Sequence, residues 1–413
     1  MKLISKYSKM KIFEFIIFVL FAISIASIPI FSFSKSTYLL TWAIVAVTLF
    51  CMCTYVFLSK KIIFDVVVMS LIAFPVSAFI SSALNGFRGF NFTPMLLPLS
   101  SLFIYMFAKT SLSYKKLMFS AFAGICIFLL AFIIRYRNQF LHLDFSQRLG
   151  GEFGDENDIS ILLGFGLTYS LYSAFFCKKV YLNIFYSLLF VLFSICGFLT
   201  GSKIFLLILV VISVLCIFMR LGKKRWWIST VIILAMIVAL VFILTLPAFS
   251  TIASRLKLFF NTFSGNAVSR VDYSSIFRLY MFEDGIEMFL RKPLFGFGIW
   301  GFATFGGLNN GWSHNHFSEG LCNFGIVGFT VFHIPFISSV YCYFKSKADK
   351  KYTLPFLMLV FFLVSMISLS FFTQKIYAFV SPTVFAFFEQ KKITELPFAP
   401  LFERKKHESF RNN

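Results

Sequence analysis

Charged residues are scarce in this chain: they make up 13% of 413 residues, and only 17 of them are acidic. A soluble domain carries about a quarter Asp, Glu, Lys and Arg, so a water-solvated globular fold is excluded. Histidine is rarer still, at 5 residues, which leaves few candidates for a general base near neutral pH. No GxxxxGK[ST], no GxGxxG behind a strand and no HExxH occurs, so the usual nucleotide, dinucleotide and zinc-hydrolase signatures are missing. The 8 cysteines fall in or beside apolar runs, and Cys51-x-Cys53 lacks metal-ligand spacing; they read as packing residues. What the chain has in abundance is hydrophobic side chains, 59% of the total, including 62 Phe. That composition describes an all-α polytopic membrane protein, because helices satisfy their own backbone hydrogen bonds in lipid. The net charge of +21 is therefore read as a topology signal, not as a nucleic-acid footprint.

About twelve transmembrane helices are expected, at roughly 12–31, 37–58, 62–84, 92–108, 117–134, 158–176, 180–199, 203–219, 226–246, 321–344, 352–372 and 376–388. The first is too long for a signal peptide and has no small-residue cleavage site, so an uncleaved span is expected. With the N-terminus inside, most basic residues collect on one side. They include Lys2, Lys6, Lys9 and Lys11, Lys115 and Lys116, Lys178 and Lys179, Lys223 to Arg225, and the tail. The acidic residues show the reverse trend. The positive-inside rule then places both termini in the cytoplasm of a multi-pass membrane protein. Residues 1–413 form a single membrane domain, and two outer segments are long enough to do chemistry. These are a first functional loop at 135–158 and a large loop at 247–316 between the ninth and tenth spans.

The large loop holds the richest polar patterning. Leu279, Phe282, Ile286, Phe289 and Leu290 recur at helical spacing, with Glu283, Asp284, Glu287 and Arg291 opposite. An amphipathic helix is therefore expected near 278–291, opened by Arg278, lying at a water–lipid boundary and ended by Pro293. The following Gly296-Phe-Gly298-Ile-Trp-Gly301 is expected to supply backbone flexibility. Arg148 in the first loop, with Arg278 and Arg291 in the second, stands on the outer face against the topological trend. Such residues suit an anionic ligand, and the planar guanidinium fork suits phosphate. The plainer alternative pairs these arginines with Asp144, Glu152, Asp272 or lipid headgroups. In Ser313-His314-Asn315-His316, the histidine spacing is not that of a helical ligand pair, and His314 at a cavity mouth suits a general base. A surface histidine bonded to headgroups is the alternative. The run Gly154-Asp-Glu-Asn-Asp158 is compatible with a metal site, but consecutive polar residues diverge and no histidine adjoins it.

Taken together, these residues carry a family resemblance. Arg278, then Pro293-Leu-Phe-Gly-Phe-Gly298, then His314-Asn315 with Phe317 and Glu319, then Gly325-Ile-Val-Gly328, resembles the O-antigen polymerase and O-antigen ligase family. Arg148-x-x-Gly151-x-Phe153-Gly154-Asp155-x-Asn157 is similar to that family's preceding periplasmic segment, and Gly201-Ser202-Lys203 to its Gly-Ser-Arg turn. The resemblance covers about residues 145–345. Glu156 stands where the family usually has Pro, Lys203 where it has Arg, and Asn323 where an acidic residue is common. His316 matches no position of the pattern.

The resemblance implies a metal-independent, cofactor-free glycosyltransferase at the outer face of the bacterial inner membrane. Its donor would be an oligosaccharide on a polyprenyl (undecaprenyl) diphosphate. Arg148, Arg278 and Arg291 would bind the diphosphate and stabilise the leaving group. His314 would take the proton of the attacking sugar hydroxyl, with Glu319 orienting it or sharing the task. An O-antigen polymerase, passing the chain to a lipid-linked repeat unit in lipopolysaccharide biosynthesis, is the favoured reading. A ligase acting on the lipopolysaccharide core is the alternative. A transporter or flippase fits less well, because the spans hold few charges and show no internal repeat. Implied partners are the lipid-linked oligosaccharide, membrane lipid, a chain-length regulator and a flippase.

Overall fold

The computed structural model describes residues 2–31, 35–142, 147–222, 225–246, 249–263, 272–306, 311–346, 349–388 and 392–397. Asp144, the partner considered above for an outer arginine, and the basic tail beyond 397 lie outside the described residues. The helices run α1 (Lys2–Ile30), α2 (Lys35–Ser59), α3 (Val66–Leu84), α4 (Thr93–Ser111), α5 (Tyr114–Arg135), the short α6 (Arg137–His142), α7 (Glu156–Phe176), α8 (Val180–Leu199) and α9 (Lys203–Leu221). They continue with α10 (Trp226–Thr245), α11 (Ser250–Phe263), α12 (Tyr273–Arg291), the short α13 (Gly301–Phe305), α14 (His316–Lys345), α15 (Thr353–Ser365) and α16 (Lys375–Phe385). Two short strands, β1 (Lys61–Asp65) and β2 (Lys392–Pro397), pair antiparallel. That pairing was not expected, and it moves the start of α3 to Val66, where the Asp65 carboxylate caps the helix by accepting from the backbone N–H of Val67 and Val68.

The chain is an all-α polytopic membrane protein. Among the described residues, nine helices are long and apolar enough to cross a bilayer: α1, α2, α3, α5, α7, α8, α9, α10 and α14. The three other expected spans exist as helices but differ in kind. α4 has 19 residues, yet Pro, Ser and Thr dilute its hydropathy. α15 and α16 have 13 and 11 residues, so they rise only about 20 and 17 Å against a hydrocarbon core of about 30 Å. Between them, residues 366–374 are turns that, apart from the exposed Ile367, are buried or half-buried in protein, as suits non-helical backbone in a membrane protein. Those turns carry Ser368 and Ser370 to the site described below.

Phenylalanine fills the interior. Phe21, Phe107, Phe128, Phe165, Phe205 and Phe361 are among the largest fully buried side chains. Around them α1 packs on α5, α7 on α8 and α9, and α14 on α3 and α12. The face of the amphipathic helix that packs on protein is not the apolar stripe, which was expected to lie at a water–lipid boundary. α12 starts at Tyr273, five positions before Arg278, and it buries Met281, Gly285 and Met288 rather than Leu279 and Leu290, which are 46% and 69% exposed. The reason is close approach. Gly285 lets Ser318 of α14 come within contact distance, and the flexible Met288 meets the Cys322 sulfur at 3.7 Å. The branched leucines are left to face outward.

The glycine-rich segment after Pro293 is a brace, not the flexible hinge expected. α14 breaks at Gly325, whose φ of 62° only glycine adopts freely, and an added Cβ would lie 2.3 Å from the Leu294 carbonyl oxygen. The break frees α14 backbone groups to pair with the segment. Phe297 and Gly298 donate to the carbonyls of Cys322 and Asn323 at 2.9 and 2.8 Å, and Ile326 donates to Pro293 at 2.8 Å. Asn323 adds its side-chain oxygen, which accepts from Phe302 N–H at 2.7 Å. α12, the segment and the first turns of α14 are thereby held as one unit.

Candidate active site

The turn between α8 and α9 is the hub of the site. Gly201 sits there at φ 63°, with the aliphatic stem of Arg148 packed 3.1 Å from where a Cβ would be. The Arg148 Nε donates to the Thr200 carbonyl at 2.8 Å, and Arg255 Nη1 of α11 donates to the Gly201 carbonyl at 2.6 Å. Ser202 donates to the Asn157 side-chain oxygen at 3.0 Å, tying the turn to the first turn of α7. Lys203 binds Asp272 and Ser275, which fastens the N-terminus of α12 to that of α9. Burial alone would raise the Asp272 carboxyl, but hydrogen bonds from Lys203, Ser275 and Ser274 outweigh it and hold the group down at about 2.

Arg278 then emerges from the second turn of α12, half-buried, its Nη1 3.4 Å from the Ser368 hydroxyl. Arg148, Arg255 and Arg278 are electrostatic neighbours. Burial lowers both Arg255 and Arg278 from the ordinary guanidinium value; for Arg255, Arg148 and Arg278 add to the shift, and for Arg278 the Asp155 charge opposes it while Arg148 adds. Arg255 and Arg278 stay charged at neutral pH all the same. Of the three, only Arg148 has a carboxylate within ion-pair distance among the described residues, Glu156 at 3.4 Å, and its Nη2 is buried without a hydrogen-bond partner. Like charges gathered with too few counter-ions are costly unless an anion completes them.

His314 adjoins this cluster. Burial, then the positive charge of Arg278, pushes its imidazole below the ordinary value, with Asp155 opposing. The ring is therefore neutral at pH 7 and able to accept a proton. Its backbone is in the left-handed region at φ 51°, immediately before the helix cap Asn315, whose side-chain oxygen accepts from Phe317 and Ser318. Glu319 supports that turn from below. It is 3% exposed, and its Oε2 accepts from the Ser313 N–H at 3.2 Å, from the Ser313 hydroxyl at 2.9 Å and from the Ser370 hydroxyl. Among the described residues none of its hydrogen bonds goes to His314.

Residues 188–333 match the family model described as O-Antigen ligase. Over that stretch the chain is similar to the O-antigen ligase/polymerase family. The match spans the hub turn, Arg255, Arg278, His314 and Glu319, and begins downstream of Arg148. Members of the family are glycosyltransferase-like enzymes of lipopolysaccharide and polysaccharide assembly. No curated protein matches the chain.

Of the residues singled out from the sequence, the structure brings Arg148, Arg278 and His314 together. Arg291 is apart from them: it lies thirteen positions along α12 from Arg278, about 20 Å, and is exposed in an ion pair with Glu287 at 2.6 Å. Glu319 is beneath the site rather than in it. His316 is fully buried against Phe372 at 4.1 Å, with its Nδ1 accepting from Phe371 N–H. Glu152, offered above as a partner for an outer arginine, instead binds Arg135 of the first outer loop. Sequence reasoning missed Arg255 as a member of the cluster. Its signal was a second arginine on an amphipathic stretch of the same loop, but nothing in the spacing tied it to Gly201. For the Gly154–Asp158 run, no group of three or more His, Cys, Asp or Glu able to hold a metal ion occurs among the described residues.

Proposed function

We propose that this protein transfers a glycan from a polyprenyl diphosphate carrier to a sugar hydroxyl, at the outer face of the bacterial inner membrane, as a surface-polysaccharide polymerase. The observation that carries the reading is the convergence of Arg148, Arg255 and Arg278 beside a neutral, half-buried His314. In this reaction the acceptor oxygen attacks the anomeric carbon, and the bond from that carbon to the phosphate oxygen breaks. The electron pair leaves on the diphosphate, where the guanidinium groups offset the growing charge. The hydroxyl proton passes to the His314 imidazole. Glu319 is a positioning residue that fixes the Ser313 backbone and through it His314. Arg291, exposed and paired, takes no part in this scheme; the carrier's lipid chain lies along the bundle.

Ligation to the lipopolysaccharide core is the second reading, favoured by the description of the matching family model. Deleting the gene and profiling the surface polysaccharide separates the two. Core bearing a single repeat unit supports polymerase, and core bearing none supports ligase. An unchanged profile removes both.

A further inference from the structure

Beside the arginine cluster lies a cavity of about 390 Å³, within the ordinary range of small-molecule sites, about 300–1,000 Å³. It shares three chain segments with the site already described. Gly154 and Asp158 flank Asp155, Trp312 is two positions before His314, and Leu369 follows Ser368. Yet none of the three arginines lines it, and its polar groups are of another kind. Asp158 receives one hydrogen bond, from the Gln374 amide at 3.1 Å, and its second oxygen has no hydrogen-bond partner among the described residues. The indole N–H of Trp300 is buried without a partner. Trp300 and Trp312 meet edge to face, with centroids 3.8 Å apart and planes at 72°. Lys375 also lines the cavity, with its ammonium over the rings of Tyr38 and Trp42, at 4.8 and 5.3 Å.

We infer that this cavity is a saccharide subsite, holding a sugar ring of the transferred or accepting glycan against the two tryptophans; the inference rests on the glycosyl-transfer reading above. A pyranose has a rim of hydroxyls and an apolar C–H face. A free carboxylate oxygen accepts from hydroxyls, the Gln374 amide both donates and accepts, and the orphaned indole N–H donates to a ring or hydroxyl oxygen. The indole face covers the C–H patch. Deeper in, Phe165, Phe361 and Val380 make an apolar floor that suits a methyl or N-acyl substituent. A diphosphate is poorly served, because no guanidinium is in the wall and the lining cation, Lys375, is already held over the Tyr38 and Trp42 rings. A polyprenyl chain does not fit either, because it would strand the Asp158 oxygen and the Trp300 N–H without partners.

Two probes test this on the full chain in lipid nanodiscs: repeat-unit oligosaccharide freed of lipid and phosphate from the source strain's own polysaccharide, and undecaprenyl diphosphate without sugar. Asp158→Asn and Trp312→Ala are expected to weaken oligosaccharide binding at least tenfold and to leave undecaprenyl diphosphate binding unchanged. Arg278→Ala is expected to do the opposite. Oligosaccharide binding unchanged in Asp158→Asn and Trp312→Ala overturns the subsite. Loss of undecaprenyl diphosphate binding in those variants also overturns it, and gives the cavity to the lipid. If wild-type protein binds undecaprenyl diphosphate through Arg278 but no oligosaccharide, the subsite fails while the proposed reaction stands. Binding of neither probe overturns both.

Discussion

Replacing Glu319 distinguishes a carboxylate that does chemistry from one that positions His314, and the geometry sets the sizes. All three donors converge on one oxygen, Oε2: the Ser313 N–H, the Ser313 hydroxyl and the Ser370 hydroxyl. In Glu319→Gln the amide oxygen occupies that place and accepts all three. Each bond falls from about 1.5–3 to about 0.5–1.5 kcal/mol, but burying an amide costs less than burying a carboxylate, so the net loss of stability stays within about 2 kcal/mol. In Glu319→Ala the Ser313 hydroxyl can turn to the Asn315 carbonyl, 2.9 Å away. The Ser313 N–H and Ser370 hydroxyl are then stranded, at about 1–3 kcal/mol each, for roughly 2–6 kcal/mol before any cavity term. The left-handed backbone at His314, itself strained by about 1–3 kcal/mol, then loses what holds it. A misplacement of about 1 Å costs about 100-fold in rate. Turnover of lipid-linked oligosaccharide by purified protein, with thermal stability read by size-exclusion fluorescence, is expected to show Glu319→Gln within about tenfold of wild type and Glu319→Ala unstable and at least about 100-fold slower. A Glu319→Gln protein as stable as wild type but as inactive as Glu319→Ala would refute the positioning role and make the carboxylate a participant.

Among the arginines, Arg278→Ala should slow turnover by roughly 30- to 1,000-fold, the worth of about 2–4 kcal/mol of transition-state stabilisation, with Arg278→Lys recovering little. Arg148→Ala and Arg255→Ala should each cost at least about tenfold, one charge-assisted contact of about 1.5–3 kcal/mol, while Arg291→Ala stays within about twofold, as exposed ion pairs contribute about 0–1 kcal/mol; equal damage from Arg291→Ala would break the cluster assignment. Because burial and Arg278 depress the His314 imidazole, it keeps its basic form as pH falls through the ordinary value of about 6.5. The acid limb of kcat/KM should lie below that pH. Asp155→Asn keeps the α7 cap but removes the charge that opposes the depression, so it should move the limb lower still; a shift upward would contradict the geometry. Single cysteines at Tyr273 and Lys179, both on exposed sites, in a background freed of native thiols, should label with an impermeant reagent only from opposite sides of the membrane. Labelling of both from one side would overturn the orientation.

The sequence by itself determined the membrane class and the approximate placement of the long apolar helices, because a run of apolar side chains has only one way to satisfy its backbone in lipid. α8 begins and ends where hydropathy alone put it, at Val180 and Leu199. It also pointed to Arg278 and His314, since polar residues in so apolar a chain stand out one by one. What it left open were relations between segments far apart in the chain. The Thr200–Gly201 carbonyls collect Arg148 and Arg255 from loops on either side, and no local period records a side chain docking on a distant backbone. The glycines after Pro293 read as freedom, but contact with α14 turned them into close-approach points. Glu319 lies just past the end of the large outer loop and Arg291 within it, and both stood out as charged residues. Burial under Ser313 made one a buried support, and exposure beside Glu287 left the other in an ion pair at the surface. Burial is a property of the packed fold, so which charges meet a ligand was decided only there.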